Sequence, residues 1–277
     1  MSVIEINNLC KNYGDAEALK DISFCVNEGE IFGFIGENGA GKSTTIRLLL
    51  NMIFPTSGEC KIFNKDCILK TEEIKKDIGY VPSEVEYYDN MKVIDLLRCT
   101  LSFMGLSDLK EAEKLCAYFQ LDINKKINEL SLGNKKKVSL VQALIRKPKL
   151  IVLDEPTSGL DPFMQEKLFS LLLEMKKKGI TVFLSSHNLE EVERYCDRVA
   201  IIKEGRIIDI ININELSSKR KFKVRYVENG NVNEYEYDGD INDLLNTISK
   251  IKVEDIEIRK MSLQEQFMRY YGGDKDE

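Results

Sequence analysis

Ile31-Phe32-Gly33-Phe34-Ile35-Gly36-Glu37-Asn38-Gly39-Ala40-Gly41-Lys42-Ser43 is the stretch on which the fold turns. Its opening run is apolar on both faces, the pattern of a strand buried inside a sheet. The run from Gly36 fits G-x-x-x-x-G-K-[ST] without a mismatch, and residues 45–52 after it read as a helix. Glycines in such a loop let successive backbone N–H groups turn inward around an anion, and the helix N-terminus adds its partial positive charge. Gly36, Asn38, Gly39, Ala40, Gly41 and Thr44 are therefore expected to line a phosphate site. Lys42 is placed to neutralise the β- and γ-phosphates of a nucleotide, and the Ser43 hydroxyl to ligate Mg²⁺.

Moving outward, the next informative stretch is Leu150-Ile151-Val152-Leu153-Asp154-Glu155. An apolar strand ending in two acids is poorly explained by stability, because burying carboxylates is costly. Asp154 suits the Mg²⁺ shell opposite Ser43, and Glu155 is placed to act as general base on a water in line with the γ-phosphate. His187, the single histidine, follows a strand pattern at 181–184. That puts it at the carboxyl edge of the sheet, where nucleotides bind in such folds, able to orient the attacking water. Further strand signals at 3–6, 22–26 and 199–202 alternate with helical patterns at 92–120, 162–178 and 189–196. The result is an α/β fold with a largely parallel sheet, a mostly helical block at about 85–147, and a small α+β appendage at 215–277. In the appendage, Asn229-Gly230 marks a hairpin, Asp240 caps a helix, and Ser262 with Glu265 forms a capping-box pattern before Phe267, Tyr270 and Tyr271.

Composition sets the limits. With 277 residues, 43% hydrophobic, the chain can bury a full core. A net charge of −6 argues against the broad basic footprint of a nucleic-acid binder. The 7 cysteines show no CxxC spacing, so a reducing compartment fits better than a disulfide framework or a zinc site. The start, Met1-Ser2-Val3-Ile4-Glu5, lacks a signal-peptide core, and no apolar stretch approaches the ~20 residues of a membrane span.

Over about residues 1–213 the chain resembles the nucleotide-binding subunits of ABC transporters, with motifs in the family's order. Tyr13 matches the aromatic that stacks on adenine. The phosphate loop follows, then Ile78-Gly79-Tyr80-Val81-Pro82-Ser83-Glu84 at the Q-loop and Leu130-Ser131-Leu132-Gly133-Asn134 at the signature. Asp154 and Glu155 come next, then Ser158-Gly159-Leu160-Asp161 as the D-loop and His187 as the switch histidine. The resemblance implies a P-loop NTPase fold of the ABC type over 1–214, hydrolysis of ATP with Mg²⁺, and pairing with a second, identical or different, ATPase subunit. In that pairing Ser131 and the Gly133 amide of one copy contact the γ-phosphate held by the other, and Asp161 belongs to the same nucleotide face. Lys135, Lys136 and Lys137 either face that anion or form a solvated charge run.

Three residues depart from the family pattern. Ser83 stands where glutamine is usual, so contact with the metal is expected through a bridging water. Leu132 replaces a glycine, which requires a negative φ or strain, and Asn134 replaces a glutamine. Trans closure on ATP is therefore expected to be weaker than usual. The tail from Met261 resembles ATPases of ABC-2-type exporters, including the bacitracin-resistance group. The implied setting is a cytoplasmic subunit, peripheral on the inner face of the membrane, driving a separate permease. Tyr87 and Tyr88 fall where the family docks that permease or else pack within the helical block. The basic cluster Lys219, Arg220, Lys221, Lys223 and Arg225 faces lipid or forms a solvated strand face. A soluble ATPase of ribosomes or DNA repair fits less well, since a second cassette and long coiled coils are missing from the sequence. A regulatory ATP-binding subunit with little hydrolysis is the other rival.

Overall fold

A computed structural model describes residues 1–213, 215, 221–261 and 265. The chain opens with a long hairpin, β1 (Ser2–Tyr13) and β2 (Ala16–Asn27), followed by β3 (Ile31–Ile35) and α1 (Lys42–Leu49). Then come β4 (Ser57–Ile62), β5 (Lys65–Asp66), α2 (Thr71–Lys75) and β6 (Ile78–Val81). The helical block holds α3 (Val93–Phe103), α4 (Lys110–Tyr118) and α5 (Leu132–Leu144). After it β7 (Leu150–Asp154), α6 (Pro162–Lys177), β8 (Thr181–Ser186), α7 (Leu189–Tyr195), β9 (Arg198–Lys203) and β10 (Arg206–Asn212) alternate. Last are β11 (Lys221–Glu228), β12 (Asn231–Asp238), α8 (Ile241–Ile248) and β13 (Asp255–Lys260).

The central sheet has six strands in the order β10-β9-β3-β8-β7-β6, parallel except for β10. β3, β7 and β8 are buried at every position, as strands covered on both faces must be. Their side chains divide by the two-residue period. Ile31, Ile35, Ile151, Leu153, Val182 and Leu184 join the core against α3, α5 and α6. Phe32, Phe34, Val152 and Phe183 join the core under α1 and the four-stranded sheet β2-β1-β4-β5. Phe183 lies 5.5–6.2 Å, centroid to centroid, from Phe24, Phe32 and Phe34.

The third sheet, β12-β11-β13, packs Phe222 and Val224 against Leu244 and Ile248 of α8 in a core of its own. Its hairpin turns at Asn229 and Gly230, both at positive φ, and the Asp240 carboxylate caps α8 by accepting from Asn242 N–H. Lys221 and Lys223 pair with Asp238 and Glu234 across the strands, so these two members of the basic cluster form a solvated, charge-matched face. Lys219, Arg220, Ser262, Phe267, Tyr270 and Tyr271 lie outside the described residues.

Several boundaries differ from the sequence reading. β1 and β2 run to 12 residues each because paired bulges at Asn8 and Asp21, joined by Asn8 Nδ2 donating to Asp21 Oδ1 at 2.8 Å, let the ladder continue. α1 begins at Lys42 and ends at Leu49, earlier than the 45–52 pattern at both ends. α5 begins at Leu132 rather than near Asn134, because the Ser131 hydroxyl accepts from Asn134 N–H and caps it.

Candidate functional site

Gly41 has φ 114°, a conformation that side chains rarely adopt, and a Cβ there would meet Leu19 Cδ2 at 2.7 Å. As N-cap of α1 it offers no side chain to the first N–H groups, which stay open to an anion. The loop is seated from behind: Gly205 N–H donates to Ala40 O at 3.0 Å, and Lys20 N–H donates to Gly205 O at 2.8 Å. The Lys42 ammonium is buried and donates to Gly36 O at 2.8 Å and Glu37 O at 3.1 Å. It also lies 3.4 Å from Glu155 Oε1, while His187 Nδ1 lies 3.2 Å from Glu155 Oε2.

β7 and β8 position the acids. Asp154, 2% exposed, accepts a 2.6 Å hydrogen bond from the Ser185 hydroxyl of the neighbouring strand. Ser185 Oγ in turn accepts from Glu155 N–H at 3.1 Å. Glu155 sits at φ 46°, a left-handed conformation that costs a non-glycine residue about 1–3 kcal/mol. Such strain persists only where surrounding contacts hold it. Here the turn sends consecutive acids to different partners, Asp154 to Ser185 and Glu155 to Lys42 and His187. Among the described residues no group of His, Cys, Asp and Glu could by itself enclose a metal. The oxygen donors of Asp154 and Ser43 fit Mg²⁺, which takes few protein ligands and keeps phosphate and water for the rest.

The family model described as ABC transporter matches residues 19–158. An ABC transporter ATP-binding protein of Methanocaldococcus jannaschii is 38% identical over 82% of this chain and 84% of its own length. The chain belongs to the ABC transporter family. The bacitracin transport ATP-binding protein of Bacillus licheniformis is 34% identical over 82% of this chain and 74% of its own. A dimeric ATP-binding cassette in a post-hydrolysis state, bound to ADP and phosphate, matches with a TM-score of 0.70 at 25% identity, over 76% of this chain and 98% of that one. This ABC subunit is an ATP-binding protein and an ATP hydrolase of α/β P-loop fold.

The other expected site residues fall into two groups. Gly133 and the D-loop come together: a Cβ at Gly133 would meet Gly159 O at 2.4 Å, so only glycine allows this approach, while the Ser131 hydroxyl caps α5. Leu132, 64% exposed, begins α5 and is absent from the positive-φ residues, so the expected negative φ holds. The Asp161 carboxylate caps α6, accepting from Met164 N–H at 3.0 Å. Tyr13 ends β1 half-exposed, with the Lys11 ammonium 4.9 Å from its ring centre. Ser83 accepts through its carbonyl from Lys136 at 2.8 Å.

Two residues escaped the sequence reading, and a third was misplaced by it. Gln165 Nε2 donates to Thr157 O and Leu160 O and so braces the D-loop. Glu191 accepts from the hydroxyls of Thr157 at 3.2 Å and Ser186 at 3.3 Å, tying the D-loop to the His187 segment. Burial raises its carboxyl above the ordinary range, against the pull of those hydrogen bonds and of His187. The third is Lys136, which does not lie in a solvated run: it is 2% exposed, and its ammonium donates to backbone carbonyls. Burial pushes its ammonium down to about 8, opposed by the charges of Asp154 and Glu155.

Proposed function

We propose that this ABC subunit drives an exporter, coupling ATP-dependent pairing of two such subunits to a separate membrane permease. The observation that carries the reading is Glu155, held between Lys42 and His187 at the mouth of the phosphate loop. In this mechanism the loop amides and Lys42 bind the phosphates, and the Lys42–Glu155 contact opens as the ammonium turns to the γ-phosphate. Glu155, released from Lys42, takes the proton of the attacking water, and His187 orients that water and the carboxylate. Ser43 and Asp154 would hold Mg²⁺, with Ser83 reaching it through water, and the bound ion would supply charge neutralisation of the phosphates. Tyr13 supports the adenine. Ser131 and Gly133 of a paired subunit close over the γ-phosphate, at a helix N-terminus suited to an anion.

Export is favoured by the likeness to the bacitracin transport subunit. Among the described residues no helix is long and apolar enough to cross a membrane; in this reading the separate permease forms the passage. We place the subunit in the cytoplasm, on the inner face of the membrane, with residues 1–214 as the ATPase domain and 215–277 as an appendage. A cleft of about 400 Å³ between the segment after β6 and the helical block, lined by Glu84, Glu86, Tyr87 and Arg146, is the docking place we assign to the permease. Tyr87 is committed inward, its hydroxyl donating to Gln142 Oε1 at 2.7 Å, whereas Tyr88 is 81% exposed and free to meet a partner.

Glu155→Gln tests the catalytic core of the proposal. Loss of a general base is expected to slow hydrolysis by about 10²–10⁴-fold, while ATP traps the variant as a dimer on size exclusion. Hydrolysis at the wild-type rate would overturn the assignment of Glu155.

A further inference from the structure

Lys136 lies in the second turn of α5, almost fully buried. Its Nζ donates 2.8 Å hydrogen bonds to two successive carbonyls, Pro82 O and Ser83 O, on the segment leaving β6. An ammonium is an expensive group to bury, and a methionine would fill similar space without that cost. The hydrogen bonds point to what is gained. Beyond Val81 the backbone has left the β-ladder, and Lys136 supplies donors to carbonyls that β7 no longer faces. The Asp154 and Glu155 carboxylates also favour the charged form of this ammonium. One side chain therefore joins the segment after β6, the helix capped by Ser131, and the field of the paired acids.

We propose that Lys136 is a positioning residue that clamps the segment leaving β6 onto α5, so that this segment and the first turn of α5 move as one body. Separating them leaves an ammonium and two carbonyls without partners, a penalty that grows as water is excluded. Because Pro82, Glu84, Glu86, Tyr87 and Gln142 line one cleft, the clamp also fixes that cleft's shape. On the reading that the cleft receives the permease, Lys136 carries displacement of the nucleotide end to the membrane partner.

Hydrogen exchange on the full chain without nucleotide tests the clamp directly. Loss of charge-assisted bonds in Lys136→Met is expected to speed exchange at residues 82–91 by about tenfold or more, with exchange in β11 and β12 unchanged. Lys136→Arg, whose guanidinium still donates to both carbonyls, is expected to restore protection. In the hydrolysis assay, Lys136→Met should lower kcat by about tenfold with a much smaller change in KM for ATP. Wild-type exchange at 82–91 in the methionine variant overturns the proposal, as does a rise spread evenly over the chain. If the methionine variant does not fold, Lys136→Gln, which is neutral and one bond too short to reach both carbonyls, replaces it: faster exchange confined to 82–91 supports the clamp, and unchanged exchange there overturns it. The exchange readout needs neither hydrolysis nor permease, so failure of the transport reading and failure of the clamp are told apart.

Discussion

Glu191 shows how a half-buried acid can serve as a joint. Its carboxylate collects the hydroxyls of Thr157 and Ser186, and burial keeps its pKa above the ordinary carboxylate range. Folding therefore takes up a proton at this position, and its contribution to stability falls as pH rises from the usual glutamate pKa of about 4.3 towards the raised value. Relative to Glu191→Gln, the wild type is expected to lose stability across that window and to hold a constant difference above it. Urea midpoints of the two proteins between pH 4 and pH 8 check this. A difference that moves the other way would mean that the hydrogen bonds outweigh burial. Leu132 and Gly133 make a second contrast between neighbouring residues. The leucine sits at negative φ and points into solvent, whereas the glycine lies under the Gly159 carbonyl. The signature can thus vary at one position while the next is fixed by contact.

Among the elements, α6 separates two roles that one residue might serve. Asp161 was expected on the nucleotide face, and its carboxylate caps the helix through Met164 N–H. Asp161→Ala is expected to cost about 1 kcal/mol of stability, and Asp161→Asn, which retains a capping oxygen, much less. If the asparagine variant nevertheless loses hydrolysis, the charge acts at the nucleotide as well. Chemical denaturation beside an ATPase assay separates the two. Elements with one clear period were legible from sequence: β3 and β7 as apolar runs, α6 from its helical pattern, the Asn229-Gly230 turn from its dihedral preference. β4, β5 and α2 were not, since Ser57–Ile62 buries only Cys60 and Ile62 and owes its strand form to pairing with β1. The phosphate loop, both acids and His187 could be found because charge at a strand end has little structural reason to exist. Lys136 could not, because lysine is ordinarily exposed and its acceptors are backbone carbonyls 53 and 54 positions away.

At the scale of the molecule, the two faces of the central sheet carry separate cores, and the face beneath the hairpin is organised around four phenylalanines. Phe183, fully buried among Phe24, Phe32 and Phe34, ties β8 to β3 and to β2. Phe183→Ala is expected to destabilise the protein by about 3–5 kcal/mol, measured by urea unfolding, and to weaken nucleotide binding, because the strand that feeds the phosphate loop loses its support. A cost below 1 kcal/mol would show that the aromatic cluster refills the space. The placement of β3 between β8 and β9 has a further consequence for how the protein is made. Ile31 N–H is bonded to the Asp197 carboxylate, 166 positions later, and β3 gains both flanking strands only when β9 is available. A growing chain on the ribosome carries the phosphate loop early but lacks its scaffold until β9, beginning just beyond Asp197, has emerged. Nucleotide capture is thus expected only of chains that already include β9, and products truncated before it should have no half-built site with which to sequester ATP.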